Sequence, residues 1–179
     1  MPLAFSPPTA QRIKETVARY PDAQAACIPV LHIAQDEFGY LSDEALKLVA
    51  ETLDLPEAHV FGVVTFYTMF HRRPVGKKVL MVCTNVSCML MGGYDVLHHV
   101  EKRLGVKAGG TSADGITLIE EECLAACADA PMAICARKYF LRLDTPEKID
   151  QMIDELRAAP AKPAGPPPPP SPSKGHGAA

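Results

Sequence analysis

Val79-Leu80-Met81-Val82-Cys83-Thr84-Asn85-Val86-Ser87-Cys88 is the stretch on which the fold of this 179-residue chain turns. Val79 to Val82 is a short apolar run with β-branched ends, the pattern of a buried strand, and a Cys-x4-Cys pair follows it directly. Residues 89 to 104 then take up helical spacing, with Leu90, Tyr94, Leu97, Val100 and Leu104 apolar, and stop at Gly105. After a Gly-rich loop comes a second strand candidate, Ile116-Thr117-Leu118-Ile119, and a second pair, Cys123-x3-Cys127. The unit reads strand, helix, strand, so its two strands run parallel and end on the same sheet edge, about 5 Å apart. Both cysteine pairs are thereby carried to one place.

Further along, Met132 to Cys135 and Tyr139 to Leu143 read as a hairpin. Thr145-Pro146-Glu147 opens a last helix through Ile149, Met152, Ile153 and Leu156, with the cap at Thr145 and proline in the first helical position. The predicted order is β-α-β-β-β-α. A right-handed crossover, a hairpin and a covering helix make the thioredoxin-like arrangement. The redox motif usual in that fold, Cys-x-x-Cys, does not occur, so different chemistry is expected at the cysteine edge.

Upstream, residues 9 to about 72 read as helices. Thr9 caps a segment through Ile13, Val17 and Tyr20; a second runs from Gln24 to Phe38 and stops at Gly39, with Pro29 tolerable only in its first turn or at a kink. Ser42 caps a third, Asp43 to Leu53, whose first two acids suit the positive end of the helix dipole. Pro56-Glu57 opens a fourth that runs into Val60 to Tyr67. The fold class is therefore α+β, a helical module over 1–72 followed by the thioredoxin-like module over 73–157.

Composition isolates a third part. Eight of the 17 prolines fall within residues 158–179, a Pro/Ala/Gly/Ser arm with almost nothing to bury, expected to be disordered with polyproline II character at Pro166 to Pro170. The arm holds Lys162 and Lys174 and no acid, so a chain of net charge −3 leaves an acidic body. No basic surplus is available to neutralise phosphates, and nucleic-acid binding is not expected. The N-terminus has neither a signal-peptide nor a transit-peptide pattern, and no apolar run is long enough to span a bilayer. A cytoplasmic location follows, with membrane association only through partners.

In a reducing compartment six cysteines point to metal or redox chemistry rather than disulfides. Four thiolates brought to one edge suit Zn²⁺ or an iron–sulfur cluster. Structural zinc prefers Cys-x-x-Cys, whereas x4 and x3 spacings open the bite toward a larger two-iron unit. Cys27 and Cys135 stand apart from the pairs and read as small buried hydrophobes.

Cys83-Thr-Asn-Val-Ser-Cys88-Met-Leu-Met-Gly-Gly-Tyr, Cys123-Leu-Ala-Ala-Cys127-Ala-Asp-Ala-Pro and Leu143-Asp-Thr-Pro-Glu-Lys together resemble the E-type subunit of bacterial NADH:quinone oxidoreductase, respiratory complex I. Val64-Thr-Phe-Tyr-Thr-Met-Phe70 resembles it too, and the likeness runs from about residue 9 to 157. The resemblance implies a helical N-terminal region and a thioredoxin-like ferredoxin domain. It also implies one [2Fe–2S] cluster on Cys83, Cys88, Cys123 and Cys127, no substrate site in this chain, and a partner subunit that binds FMN and NADH. The chain would then lie at the inner face of the cell membrane through its complex. Two departures stand out: the family usually has Gly at Ala125 or Ala126, and Ala136-Arg137-Lys138 occupies a hairpin turn where relatives carry Asn and acids.

Other candidates are plainer. No Gly-x-Gly-x-x-Gly follows a strand, so Gly109-Gly110 to Gly115 reads as a connection. His98 and His99 are adjacent on a helix, point to different faces and read as surface residues. Val63 to Phe70 reads as core or interdomain packing, with a docking surface for the flavoprotein as the other reading. The rival functions are the equivalent subunit of an NAD-linked formate dehydrogenase or hydrogenase, and a zinc adaptor.

Overall fold

A computed structural model describes residues 3–159, so the Pro-rich arm expected at the C-terminus lies almost wholly outside the described residues. The chain divides into two compact units, one running to Arg73 and the other starting at Pro74.

The first unit is helical: α1 (Pro7–Val17), α2 (Cys27–Phe38), α3 (Asp43–Leu53) and α4 (Glu57–Phe66). Helix α1 begins before the expected cap at Thr9, with Ser6 as N-cap, because Pro7 and Pro8 fill first-turn positions whose N–H groups have no helical partner anyway. Pro29 likewise sits in the first turn of α2, and that helix stops at Gly39 in the left-handed conformation, φ 79°. Ser42 caps α3 as its sequence requires, its hydroxyl accepting from Ala45 N–H at 3.2 Å. Val30, Leu31, Ala34, Leu41, Ala45, Val49, Val60 and Val64 form the core. The Val63 to Phe70 stretch divides: Val64 and Phe70 are buried, while Phe66 is 77% exposed and stacks edge-on with Tyr67.

The second unit contains β1 (Lys78–Cys83), α5 (Val86–Leu90), α6 (Gly93–Leu104), β2 (Ile116–Glu121), β3 (Ala133–Cys135), β4 (Lys138–Phe140) and α7 (Pro146–Ala158). The sheet order is β2-β1-β3-β4. Strands β1 and β2 are parallel, in register from Lys78 opposite Ile116 to Cys83 opposite Glu121. Strand β3 runs antiparallel to β1, with Leu80 opposite Cys135, and β4 antiparallel to β3. Helices α6 and α7 pack on each other, and Val96, Val100 and Ile153 join Leu80, Val82 and Leu118 of the sheet in one core. Thr145 caps α7, and Pro146 takes its first helical position.

Two features of this unit differ from the sequence reading. The single helix expected over 89–104 is two: Asn85 caps the short α5, its Oδ1 accepting from Val86 N–H at 2.6 Å, and the chain breaks at Met91 and Gly92 before α6. Gly92 is left-handed at φ 92°, a conformation that continues no right-handed helix. The hairpin strands are also shorter than expected and meet at a two-residue turn, Ala136-Arg137, both left-handed at φ 48° and 68°.

Candidate metal centre

The carboxyl ends of β1 and β2 deliver the cysteine pairs. Cys83 is the last residue of β1; its N–H donates to Met132 O at 3.1 Å, and the next residue, Thr84, donates to Glu121 O at 3.1 Å. These bonds anchor the strand end to both neighbours. The cap at Asn85 then turns the chain into α5, which places Cys88 at its centre. On the other strand, Cys123 follows shortly after Glu121, and Cys127 opens a single 3-10 turn, Cys127–Asp129, against which α5 packs.

The four thiols are unequal in exposure. Cys83 and Cys88 are buried and share a small apolar cluster with Met132, lined by the partly buried Leu124, Ala126 and Ala130. Cys123 and Cys127 are exposed. Cys83 Sγ donates to Glu122 O at 3.5 Å. Burial pushes the Cys88 thiol up to about 11; its hydrogen bond to Cys83 adds to the rise, a backbone contact from Met132 opposes it, and repulsion from Cys83 and Cys127 adds further. A thiol raised in this way is no ready nucleophile near neutral pH, and a thiophilic cation bound there would displace its proton. Cys83 and Cys127 thus both act on Cys88. Cys123 lies on the same strand-end loop.

Among the described residues, no group of three His, Cys, Asp or Glu side chains is close enough to hold one metal ion. The donor set is nevertheless all thiol, which suits soft, thiolate-bound iron. His98 and His99 are elsewhere: His98 lies beside Tyr94, and His99 Nε2 is 2.8 Å from Asp150 Oδ1 on α7. Cys27 and Cys135 are buried in the two cores, and burial raises both thiols.

Two residues gain weight only from the structure. Met132, read in the sequence as a strand residue, is 1% exposed and forms the floor beneath Cys83 and Cys88. Its one local signal is an apolar residue just after the Ala130-Pro131 bond, which is cis. Ala125 adopts φ 61°, whereas Ala126 does not, so of the two alanines between Cys123 and Cys127 it is Ala125 that occupies a backbone conformation suited to glycine.

A parallel β-α-β crossover, a hairpin on the opposite side of β1 and thiol pairs behind both parallel strands define a thioredoxin-like fold with its cysteine chemistry at the sheet edge. The chain belongs to the thioredoxin-like [2Fe–2S] ferredoxin family, whose profile matches residues 13–157. It is 41% identical over 150 residues to the E-type subunit 2 of NADH-quinone oxidoreductase from Rhizobium meliloti, covering 83% of this chain and 89% of that one. It is 37% identical over 162 residues to the E-type subunit of NADH-quinone oxidoreductase from Mycobacterium tuberculosis, covering 88% of this chain and 64% of that one. The crystal structure of an NAD+-reducing [NiFe]-hydrogenase in the air-oxidized state shares the fold, with a TM-score of 0.60 and 22% identity over 82% of this chain and 24% of that chain.

Proposed function

We propose that this chain is an electron-transfer subunit of an NADH:quinone oxidoreductase, with Cys83, Cys88, Cys123 and Cys127 holding one [2Fe–2S] cluster. When bound, the cluster supplies one-electron chemistry, exchanging single electrons with the flavin of a neighbouring NADH-oxidising subunit. The observation that carries this reading is the placement of both cysteine pairs at or just beyond the carboxyl ends of two adjacent parallel strands, Cys83 opposite Glu121.

The chain's own residues have distinct tasks in this scheme. Met132 and Leu124 keep water from Cys83 and Cys88, while the exposed Cys123 and Cys127 face outward, where a donor can approach. Four thiolates around a two-iron core leave a net negative charge, and in the Thr84 to Ser87 turn the N–H groups of Asn85 and Ser87 would compensate it, those of Thr84 and Val86 being engaged by Glu121 O and Asn85 Oδ1. Glu120, Glu121 and Glu122 follow one another beside the site, and Glu120 takes a hydrogen bond from the Thr84 hydroxyl at 2.9 Å, next to Cys83. A run of acids disfavours an added electron, so a low reduction potential is expected. Among the described residues no helix is long and apolar enough to cross a membrane, and attachment to the membrane's inner face would come through the complex.

The likeness to a hydrogenase that reduces NAD+ supports the alternative of a corresponding subunit in another NAD-linked complex. The chains that co-purify with this one decide between the two. For the cluster, the test is the purified full chain. A brown protein whose absorption bleaches with dithionite, with an EPR signal in the reduced state and two iron atoms per chain, supports the reading. A colourless protein with one zinc sinks it.

A further inference from the structure

We infer that Gly93 is a positioning residue for the first cysteine pair, the point at which α6 sets the separation of Cys83 from Cys88. The inference rests on the cluster reading above. Gly93 is the buried first residue of α6, and a Cβ built on it would lie 2.8 Å from Cys88 O and 2.9 Å from both Cys83 O and Cys88 C. No side chain fits at such distances, and all three atoms are backbone, so none can swing aside. One hydrogen-sized gap is therefore shared by the carbonyls of two proposed ligands.

Which partner would yield follows from how each is held. Cys83 is the end of β1, fixed by its N–H bond to Met132 O and by pairing with β2. Helix α6 is fixed by Val96, Leu97, Val100 and Leu104, all buried in the core of the unit. Helix α5 has only five residues, one of them buried, and the bonds at its C-terminal end, from Met91 N–H to Ser87 O and Cys88 O at 3.1 Å, close its own last turn and tie it to no other element. An added methyl would move α5, and Cys88 with it, away from Cys83. The preceding glycine answers a different need: Gly92 is left-handed, and the nearest atom to a Cβ there is a side-chain oxygen, Asp95 Oδ2, at 3.4 Å. Gly92 supplies the break between helices, whereas Gly93 supplies the closeness.

The test loads the full chain with iron and sulfide and compares wild type, Gly93→Ala and Val96→Ala. Val96→Ala loosens the same helix without touching either cysteine carbonyl. For Gly93→Ala the expected result is a folded chain with a shifted reduced-state EPR spectrum and cluster loss to a chelator about 10-fold faster, the scale at which outer-shell changes act on metal sites. Val96→Ala should lower thermal stability and keep the wild-type spectrum. A wild-type spectrum and chelator resistance in Gly93→Ala overturn the inference, as does the same spectral change in Val96→Ala. Unfolding of Gly93→Ala by circular dichroism overturns it too, since the contact would then serve the whole fold rather than the thiol spacing. A wild-type chain that takes up no iron fails the cluster reading itself, and is separated from these outcomes by that first measurement.

Discussion

Removing the floor under the buried thiols should have a cost that the geometry fixes within narrow limits. Met132 is 1% exposed and packs directly on Cys83 and Cys88. Met132→Ala removes three side-chain heavy atoms, worth about 2.4 kcal/mol at about 0.8 kcal/mol for each buried methylene-sized group. The hole left behind adds about 1 kcal/mol if roughly 50 Å³ stays empty. Leu124, Ala126 and Ala130 are only partly buried and can close part of that hole, so the expected loss is about 3 kcal/mol. Met132→Leu conserves volume and should cost below about 1.5 kcal/mol. Urea unfolding of the metal-free chain, followed by NMR signals of β1 and β3, reads this unit separately from the helical one. A loss below about 1 kcal/mol for Met132→Ala, or equal losses for the two variants, would refute the role of Met132 as a packed floor.

Other consequences are independent of that one. Ala125→Gly should gain on the order of 1 kcal/mol in thermal or urea unfolding, because Ala125 sits at φ 61°, while Ala126→Gly at φ −116° should gain nothing. Burial lowers the pKa of His71 below 6.5, so the unfolded chain binds more protons than the folded one as pH drops below that value. Stability should therefore fall as pH is lowered through about 6.5, and His71→Gln should flatten the curve; an unchanged slope would count against it. Cys27→Ala and Cys135→Ala should each keep full iron content by chemical assay, since both thiols lie in the hydrophobic cores apart from the two pairs, whereas Cys123→Ser should lose it.

Much of the fold is written locally. Ser42, Gly39, Gly105 and the Thr145-Pro146 start mark helix ends where they are found, because caps and stops depend on side chains within a turn of the backbone they satisfy. The strands at Val79 and Ile116 follow from apolar patterning, and the crossover rule then places two cysteine pairs on one edge. The errors have local causes as well: the 3.6-residue period runs across Met91-Gly92 without registering that glycine there reverses the backbone, and Pro7-Pro8 look like breakers but suit a first turn.

What the sequence alone determined is the α+β class, the order of strands and helices apart from the break between α5 and α6, and the four candidate thiols. Only the tertiary structure decided that two of those thiols are buried over Met132 and two exposed, that Ala125 rather than Ala126 bends left, and that Gly93 is wedged against two cysteine carbonyls. Such facts depend on contacts between segments distant in the chain. Met132 reaches Cys83 because β3 pairs with β1, and no periodicity or spacing within either segment records that pairing.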